Sequence, residues 1–391
     1  MSSMQHHIAD TVQSLKPSGI RKFFDLVSQT EGVISLGVGE PDFVTPWHIR
    51  EACLYSLESG YTMYTSNWGL PELREEIAQY EKRAIGVDYS PQNQILVTVG
   101  VSEAIDIALR SLVEPGDEVL IPEPCYVSYA PGVLLAYGTP VPLACYAQHQ
   151  YRLQPEELEA KITPRTKVLI LAYPNNPTGA IMEKQDLEAL REIIIKHDLI
   201  VISDEIYAEL SYHTRHVSIA ALPGMYERTI VMNGFSKAFA MTGWRIGYAC
   251  GHQDIIAAMT KIHQYTIMCA PIMAQKAAIE ALRHGETEMR KMVADYDYRR
   301  KLMFNGLNEI GLSCFEPQGA FYCFPSITST GMNSEDFSEK LLFEEKVAVV
   351  PGTAFGESGE GHIRCCYAAS VKNIEAALQK MQSFVIRHRK G

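Results

Sequence analysis

Between about residue 50 and residue 280, short apolar, β-branched runs alternate with amphipathic helical patterns, and nothing else in the chain restricts its fold as strongly. Strands are expected at 95–99, 118–121, 167–172, 199–203, 229–232 and 246–250, and helices at 70–83, 102–112, 184–197 and 253–265. The strand runs are apolar at consecutive positions, which suits strands covered on both faces. Interleaved with helices, they predict an α/β unit with a mostly parallel sheet sandwiched by helices. After residue 280 the pattern changes. A charged helix at 286–310 leads into strand runs at 312–315, 320–324, 347–350 and 363–367, with helices at 334–345 and 371–386. Grouped strands and helices predict a smaller α+β domain.

At 391 residues, 47% hydrophobic and 21% charged, the chain is long enough for two or three structural units. A formal charge of −11 without a long basic cluster argues against a nucleic-acid surface. The nine cysteines are scattered and form no CxxC pair, which reads as reduced thiols rather than a disulfide framework. The amino terminus has no apolar signal segment. The uncharged stretch 125–151 is broken by Pro131, Gly132, Gly138, Pro140 and Pro142, so it is not expected to cross a membrane. The cytoplasm is the expected location. No HExxH or paired-histidine spacing occurs, and no metal site is expected.

The candidate chemistry collects where ligands of open α/β sheets collect, at the carboxyl ends of strands. The run Asn233-Gly-Phe-Ser-Lys237, followed by Arg245 eight positions on, puts a lysine just past an apolar strand. Burial disfavours an ammonium and frees the amine to attack a carbonyl, while Ser236 and Arg245 suit a phosphate. Gly100-Val101-Ser102 opens a helix whose first N–H groups suit the same anion. Pro174-Asn-Asn176-Pro-Thr-Gly179 is a rigid turn that presents an amide. Asp204 ends an apolar strand, where an acid needs a partner, and Tyr207 follows it. Tyr126 offers a stacking face, and Arg364 interrupts an apolar strand with a fork suited to a carboxylate. Each has an ordinary structural use when taken alone. Together they surround one ligand.

With Ser35-Leu-Gly-Val-Gly39-Glu-Pro-Asp-Phe43 and Tyr64-Thr-Ser-Asn-Trp-Gly69, these motifs resemble fold-type I pyridoxal-phosphate enzymes, specifically the class I/II aminotransferases. The resemblance spans nearly the whole chain. It implies the aspartate aminotransferase-like fold, divided into an amino-terminal arm and part of the small domain (1–47), a large cofactor-binding domain (48–283) and a small domain (284–391). It also implies pyridoxal 5'-phosphate as cofactor. Lys237 would bind its aldehyde and carry the substrate α-proton, and Asp204 would keep the pyridine nitrogen protonated. Asn176 and Tyr207 would bond the ring oxygen, and Tyr126 would stack on the ring. Val101, Ser102, Ser236 and Arg245 would hold the phosphate, joined by Tyr64 of a neighbouring subunit in a homodimer with shared sites. Arg364, Asn176 and the Gly39 backbone would bind the substrate carboxylate. Two departures stand out: Val101 replaces a commonly small residue, and Gly234 lacks a hydroxyl that some relatives direct at the phosphate.

The implied reaction passes an amino group from an L-amino acid to a 2-oxo acid, with 2-oxoglutarate expected as acceptor, in a ping-pong cycle. Ser18-Gly-Ile-Arg-Lys-Phe23 and 261–269 look like the aminotransferase A subgroup, often assigned N-acetyl-L,L-diaminopimelate, while aspartate and aromatic aminotransferases share most motifs. Arg21 and Lys22 are candidates for a distal carboxylate, or simply solvated. Two alternatives use the same scaffold. One is a carbon–sulfur β-lyase, whose members often carry histidine where Tyr207 stands. The other is a non-catalytic regulator, which needs a DNA-binding module for which about 45 leading residues leave little room.

Overall fold

A computed structural model of the chain describes residues 4–15 and 30–389; Arg21, Lys22 and the rest of 18–23 lie outside the described residues. The two-residue strand β1 (Ile34–Ser35) precedes the helix Trp47–Glu58. The alternating region then supplies β2 (Ile95–Thr98), β3 (Glu118–Glu123), β4 (Thr139–Ala144), β5 (Thr166–Ala172), β6 (Ile200–Asp204), β7 (Thr229–Gly234) and β8 (Gly247–Cys250). These seven form one sheet in the order β2-β8-β7-β6-β5-β3-β4. Only β8 runs antiparallel to its neighbours, so the sheet is mostly parallel.

Strands β2, β7 and β8 are buried at every position, as their unbroken apolar runs require. The covering helices bury one stripe each. Gly100–Leu112 turns Ala104, Ile105, Ala108 and Leu109 inward, and Lys184–Lys196 buries Leu187, Leu190 and Ile194 behind a capping box between Glu183 and Asp186.

Strand β4 falls within the stretch interrupted by prolines and glycines, where no strand was expected. It is the edge strand, and Thr139 and Cys145 donate N–H bonds to Asp117 and Glu123. Those odd positions face β3, so Pro140 and Pro142 turn their donorless nitrogens to the open edge, where proline is tolerated.

Beyond residue 284 come the helices Glu286–Glu309, Ser334–Glu345 and Val371–His388. With them are β9 (Tyr322–Cys323), β10 (Val347–Ala348), β11 (Val350–Pro351) and β12 (Ile363–Cys366). β1 pairs in parallel with β10, and β11-β12-β9 form an antiparallel sheet. The run 312–315, expected as a strand, is not one. Leu312 N–H closes onto Leu307 O at the end of the preceding helix, and Cys314 N–H bonds the Asn308 side chain at 3.1 Å, so local partners replace a ladder. One buried apolar cluster runs from Leu36 and Ile49 through Phe235 and Tyr248 to Tyr296, Phe337 and Phe384, joining both parts of the chain. Among the described residues no helix is long and apolar enough to cross a membrane.

Candidate active site

Five loops open at one end of the large sheet. They follow the carboxyl ends of β2, β3, β5, β6 and β7, and the antiparallel β8 begins there, bringing Arg245 to the same end. They enclose a cavity of about 350 Å³ lined by Val101, Ser102, Tyr126, Asn176, Asp204, Tyr207, Ser236, Lys237 and Arg245, with Gly39 and Arg364 completing it. Eleven of the twelve residues singled out from the sequence thus share one cavity. Tyr64 does not line it and is 78% exposed.

Lys237 lies in the turn after β7, and its ammonium donates to Gly39 O at 2.7 Å. Burial, with Arg364 and Arg245 adding to it, pushes Lys237 down to about 8. Gly39 is brought there because the segment around it is tied down. Arg299 Nη1 binds Asp42 at 2.7 Å, and Thr45 donates to Ala240 O at 2.6 Å while accepting from Trp244 Nε1 at 3.0 Å. Across the cavity, Asp204 is 6% exposed and, among the described residues, forms no ion pair, the Lys237 charge acting on it only weakly. Tyr129 donates to its Oδ2 at 2.8 Å and Ile206 N–H to its Oδ1 at 3.2 Å. Burial outweighs both bonds and pushes the carboxyl up to about 6.

The Arg364 fork donates to Asn176 Oδ1 at 2.9 Å and to Gly37 O at 2.5 Å. Its guanidinium carbon lies 4.5 Å from the centre of the Tyr322 ring and 4.9 Å from that of Phe355. Arg364 is 2% exposed and its Nε has no partner among the described residues. Tyr322 also shares a 2.8 Å hydrogen bond with the Tyr207 hydroxyl. Two functional neighbours were therefore missed in the sequence. Tyr129 was detectable one helical turn after Tyr126, in Tyr126-Val-Ser-Tyr129, and packs edge-on to it at 5.6 Å. Tyr322 was hidden inside an apolar strand run that reads as core.

At the other wall stands a cradle of glycines. A Cβ on Gly100, whose φ is +76°, would come within 2.5 Å of Arg245 Nη2, and one on Gly247 within 2.8 Å of Val101 N. Arg245 itself has φ +50° and spends one donor on Thr242 O at 3.1 Å. The two departures noted in the sequence are neighbours. A Cβ at Gly234 would lie 2.9 Å from Gly247 Cα and 3.4 Å from Val101 Cγ2, so there is no room for a side chain at 234 beside valine at 101.

These features fit pyridoxal 5'-phosphate. The glycine cradle with Ser102, Ser236 and the free donors of Arg245 suits a phosphate. A buried acid without a cation suits a protonated pyridine nitrogen, and an amine held at lowered pKa suits an aldehyde.

A family model described as "Aminotransferase class I and II" matches residues 31–381. The chain is 55% identical to the Bacillus subtilis protein YugH over 98% of this chain and 99% of that one. It is 47% identical to the aspartate aminotransferase of Pyrococcus abyssi, covering 98% and 99% of the two chains. A solved aromatic aminotransferase from Pyrococcus horikoshii superposes with TM-score 0.90 at 45% identity, covering 93% of this chain and 99% of that one. A Bacillus subtilis relative named for N-acetyl-LL-diaminopimelate is 40% identical. The chain belongs to the class I and II aminotransferases, and it is an enzyme that uses pyridoxal 5'-phosphate.

Proposed function

We propose that the enzyme moves the amino group of an L-amino acid to 2-oxoglutarate, with Lys237 as the proton carrier and Arg364 as the carboxylate anchor. The observation that carries this reading is the amine of Lys237, buried, pushed down to about 8, and sharing one cavity with the buried acid Asp204, which forms no ion pair among the described residues. When bound, pyridoxal 5'-phosphate supplies an aldehyde that takes up the amino group and a ring that accepts the electron pair released at the α-carbon. The protein's own groups do the rest. Asp204, oriented by Tyr129, offers negative charge to the ring nitrogen. Asn176 and Tyr207 serve the ring oxygen, and Tyr126 covers the ring face. Val101, Ser102, Ser236 and Arg245 receive the phosphate. Arg364, with Asn176 and the Gly39 backbone, receives the substrate α-carboxylate, which a guanidinium stacked between two rings can meet with little loss of freedom. Lys237 takes the α-proton and returns it one step later.

The large domain is read as 48–283, with 284–391 and part of 1–47 forming the small one. The assembly is read as a homodimer in the cytoplasm. Val44 (72% exposed), Tyr55 (68%), Met63 (61%), Tyr64 (78%) and Tyr265 (86%) are exposed large apolar side chains, which supports a reading in which a second copy covers them. Tyr64, which does not line its own cavity, is assigned to the partner's phosphate. The donor belongs to the aspartate, aromatic or N-acetyl-L,L-diaminopimelate group.

The decisive experiment is Lys237→Ala. Loss of its proton transfer alone should lower kcat by about 10²–10⁴-fold, and borohydride reduction followed by peptide mapping should label position 237 in the wild type only. A variant that keeps most of its turnover would remove Lys237 from the mechanism. Half-reactions with glutamate, aspartate, phenylalanine and acetylated diaminopimelate then identify the donor.

A further inference from the structure

The segment 352–359 leads from β11 toward β12 and carries Phe355, which is buried with its ring centre 4.9 Å from the Arg364 guanidinium carbon. Opposite it, the loop leaving β3 at Glu123 runs to Tyr126 in the cavity wall. Cys125 N–H donates to Phe355 O at 2.9 Å and joins the two. The Glu123 side chain makes a second junction. Its carboxyl lies so close to Gly356 that a Cβ there would come within 2.3 Å of Oε2 and 2.9 Å of Oε1. Gly356 has φ +119°, a conformation that side-chain-bearing residues avoid. The Glu357 backbone N–H donates to the same carboxyl.

Among the described residues no lysine, arginine or histidine forms an ion pair with Glu123. The titratable groups that face it are the Glu357 carboxyl and the buried thiols of Cys125 and Cys145. Burial first, then the Glu357 charge, push its carboxyl up to about 6 against the backbone bond. A half-buried acid with no cation is costly wherever it serves only packing. Here its shape is matched by a glycine that tolerates nothing larger.

We propose that Glu123 is a positioning residue for substrate binding: seated on Gly356, its carboxyl holds the 352–359 segment, with the Phe355 ring that flanks Arg364, against the loop carrying Tyr126. The proposal rests on the reading that Arg364 receives the substrate carboxylate. Freeing the segment loosens the guanidinium's orientation, so all substrates weaken alike whatever their side chain.

The test uses the holoenzyme and four variants: Glu123→Ala, Glu123→Gln, Gly356→Ala and Arg364→Ala. Glu123→Ala should raise KM for the amino donor and for 2-oxoglutarate by about tenfold, the loss expected for one buried hydrogen-bonded contact, with a smaller change in kcat. The dissociation constant of succinate, an unreactive carboxylate measured by calorimetry, should rise in parallel. Glu123→Gln keeps the shape and the acceptor and should stay within about twofold of wild type. Gly356→Ala should resemble Glu123→Ala, and if it does not fold, the two Glu123 variants still decide. Unchanged KM and succinate binding in Glu123→Ala, beside a large loss in Arg364→Ala, would overturn the positioning role alone. Equal losses in Glu123→Ala and Glu123→Gln would overturn it in favour of a charge effect. If Arg364→Ala also binds succinate normally, the carboxylate assignment fails first.

Discussion

Asp204 and Glu205 are consecutive acids at the end of β6, both buried, with opposite electrostatic fates. Asp204 faces the cavity and has two donors, Tyr129 and the Ile206 N–H, so burial prevails and its carboxyl rises to about 6. Glu205 is 1% exposed and faces away from the cavity. Burial is the largest single influence and raises it too, but the His216 charge and the bonds from His216 at 2.8 Å, Ser218 at 2.5 Å and Ser203 at 2.8 Å together outweigh it and leave the carboxyl below the usual range. The same strand end thus carries one acid whose needs are met within the fold and one that is left short of a cation. An unmet need of that kind marks a group prepared for a ligand.

The comparison breaks most sharply if the two acids are exchanged in role. Asp204→Asn should cost about 2.7–4 kcal/mol of barrier, roughly 10²–10³ in kcat, with little change in melting temperature. Near-normal turnover would strip Asp204 of its assignment. Glu205→Gln should instead cost about 3 kcal/mol of stability in urea unfolding, because His216, Ser218 and Ser203 lose their charged acceptor, while the folded enzyme keeps most of its kcat. A catalytic defect without destabilisation would reverse the distinction.

The amine facing Asp204 sharpens the picture. Burial lowers Lys237 to about 8, so it is mostly ammonium below that pH. Capture of pyridoxal 5'-phosphate by the apoprotein, followed by absorbance, should slow about tenfold per pH unit below about 8 and level off above it. A flat profile from pH 6 to 9 would show that the amine is not poised by burial.

The smallest effect concerns an acid that packs beneath the sheet. Glu81 is 1% exposed, accepts from the Tyr248 hydroxyl at 2.6 Å as the one side-chain donor to its carboxyl among the described residues, and is pushed by burial up to about 8. Its folded value lies above the ordinary 4.5, so the native state binds the proton more tightly. The stability contributed by Glu81 is therefore fully present below about pH 4.5 and is lost as the pH rises toward about 8. Glu81→Gln removes that decline and should stabilise the protein at pH 8 by about 1–3 kcal/mol, with little effect at pH 4.5. An equal effect at both pH values would show that Glu81 is not neutral in the fold.

Much of this protein was readable in one dimension. Strands buried on both faces must be apolar at consecutive positions, so the strands on either side of Lys237 and Asp204 announced themselves. The residues that follow strand ends also stood out, because Lys237, Asp204 and Asn176 are costly there without a partner. What escaped were features whose meaning depends on neighbours distant in the chain. Strand β4 was not expected, since prolines such as Pro140 and Pro142 suit a strand only on an edge, and edge position is a property of the sheet order. Tyr322 looked like core packing until the fold set it against Arg364 and the Tyr207 hydroxyl. Glu123 carried no signal, since its partner Gly356 lies more than two hundred residues away.

The amino-acid order alone thus determined the alternating architecture, the lysine at a strand end and the family, because periodicity and local chemistry are written in adjacent residues. Only the tertiary structure decided which acid is left without a cation, which tyrosines enter the site and why position 234 admits no side chain. Those outcomes depend on burial and on distances of a few ångströms between remote segments, and no local pattern encodes either.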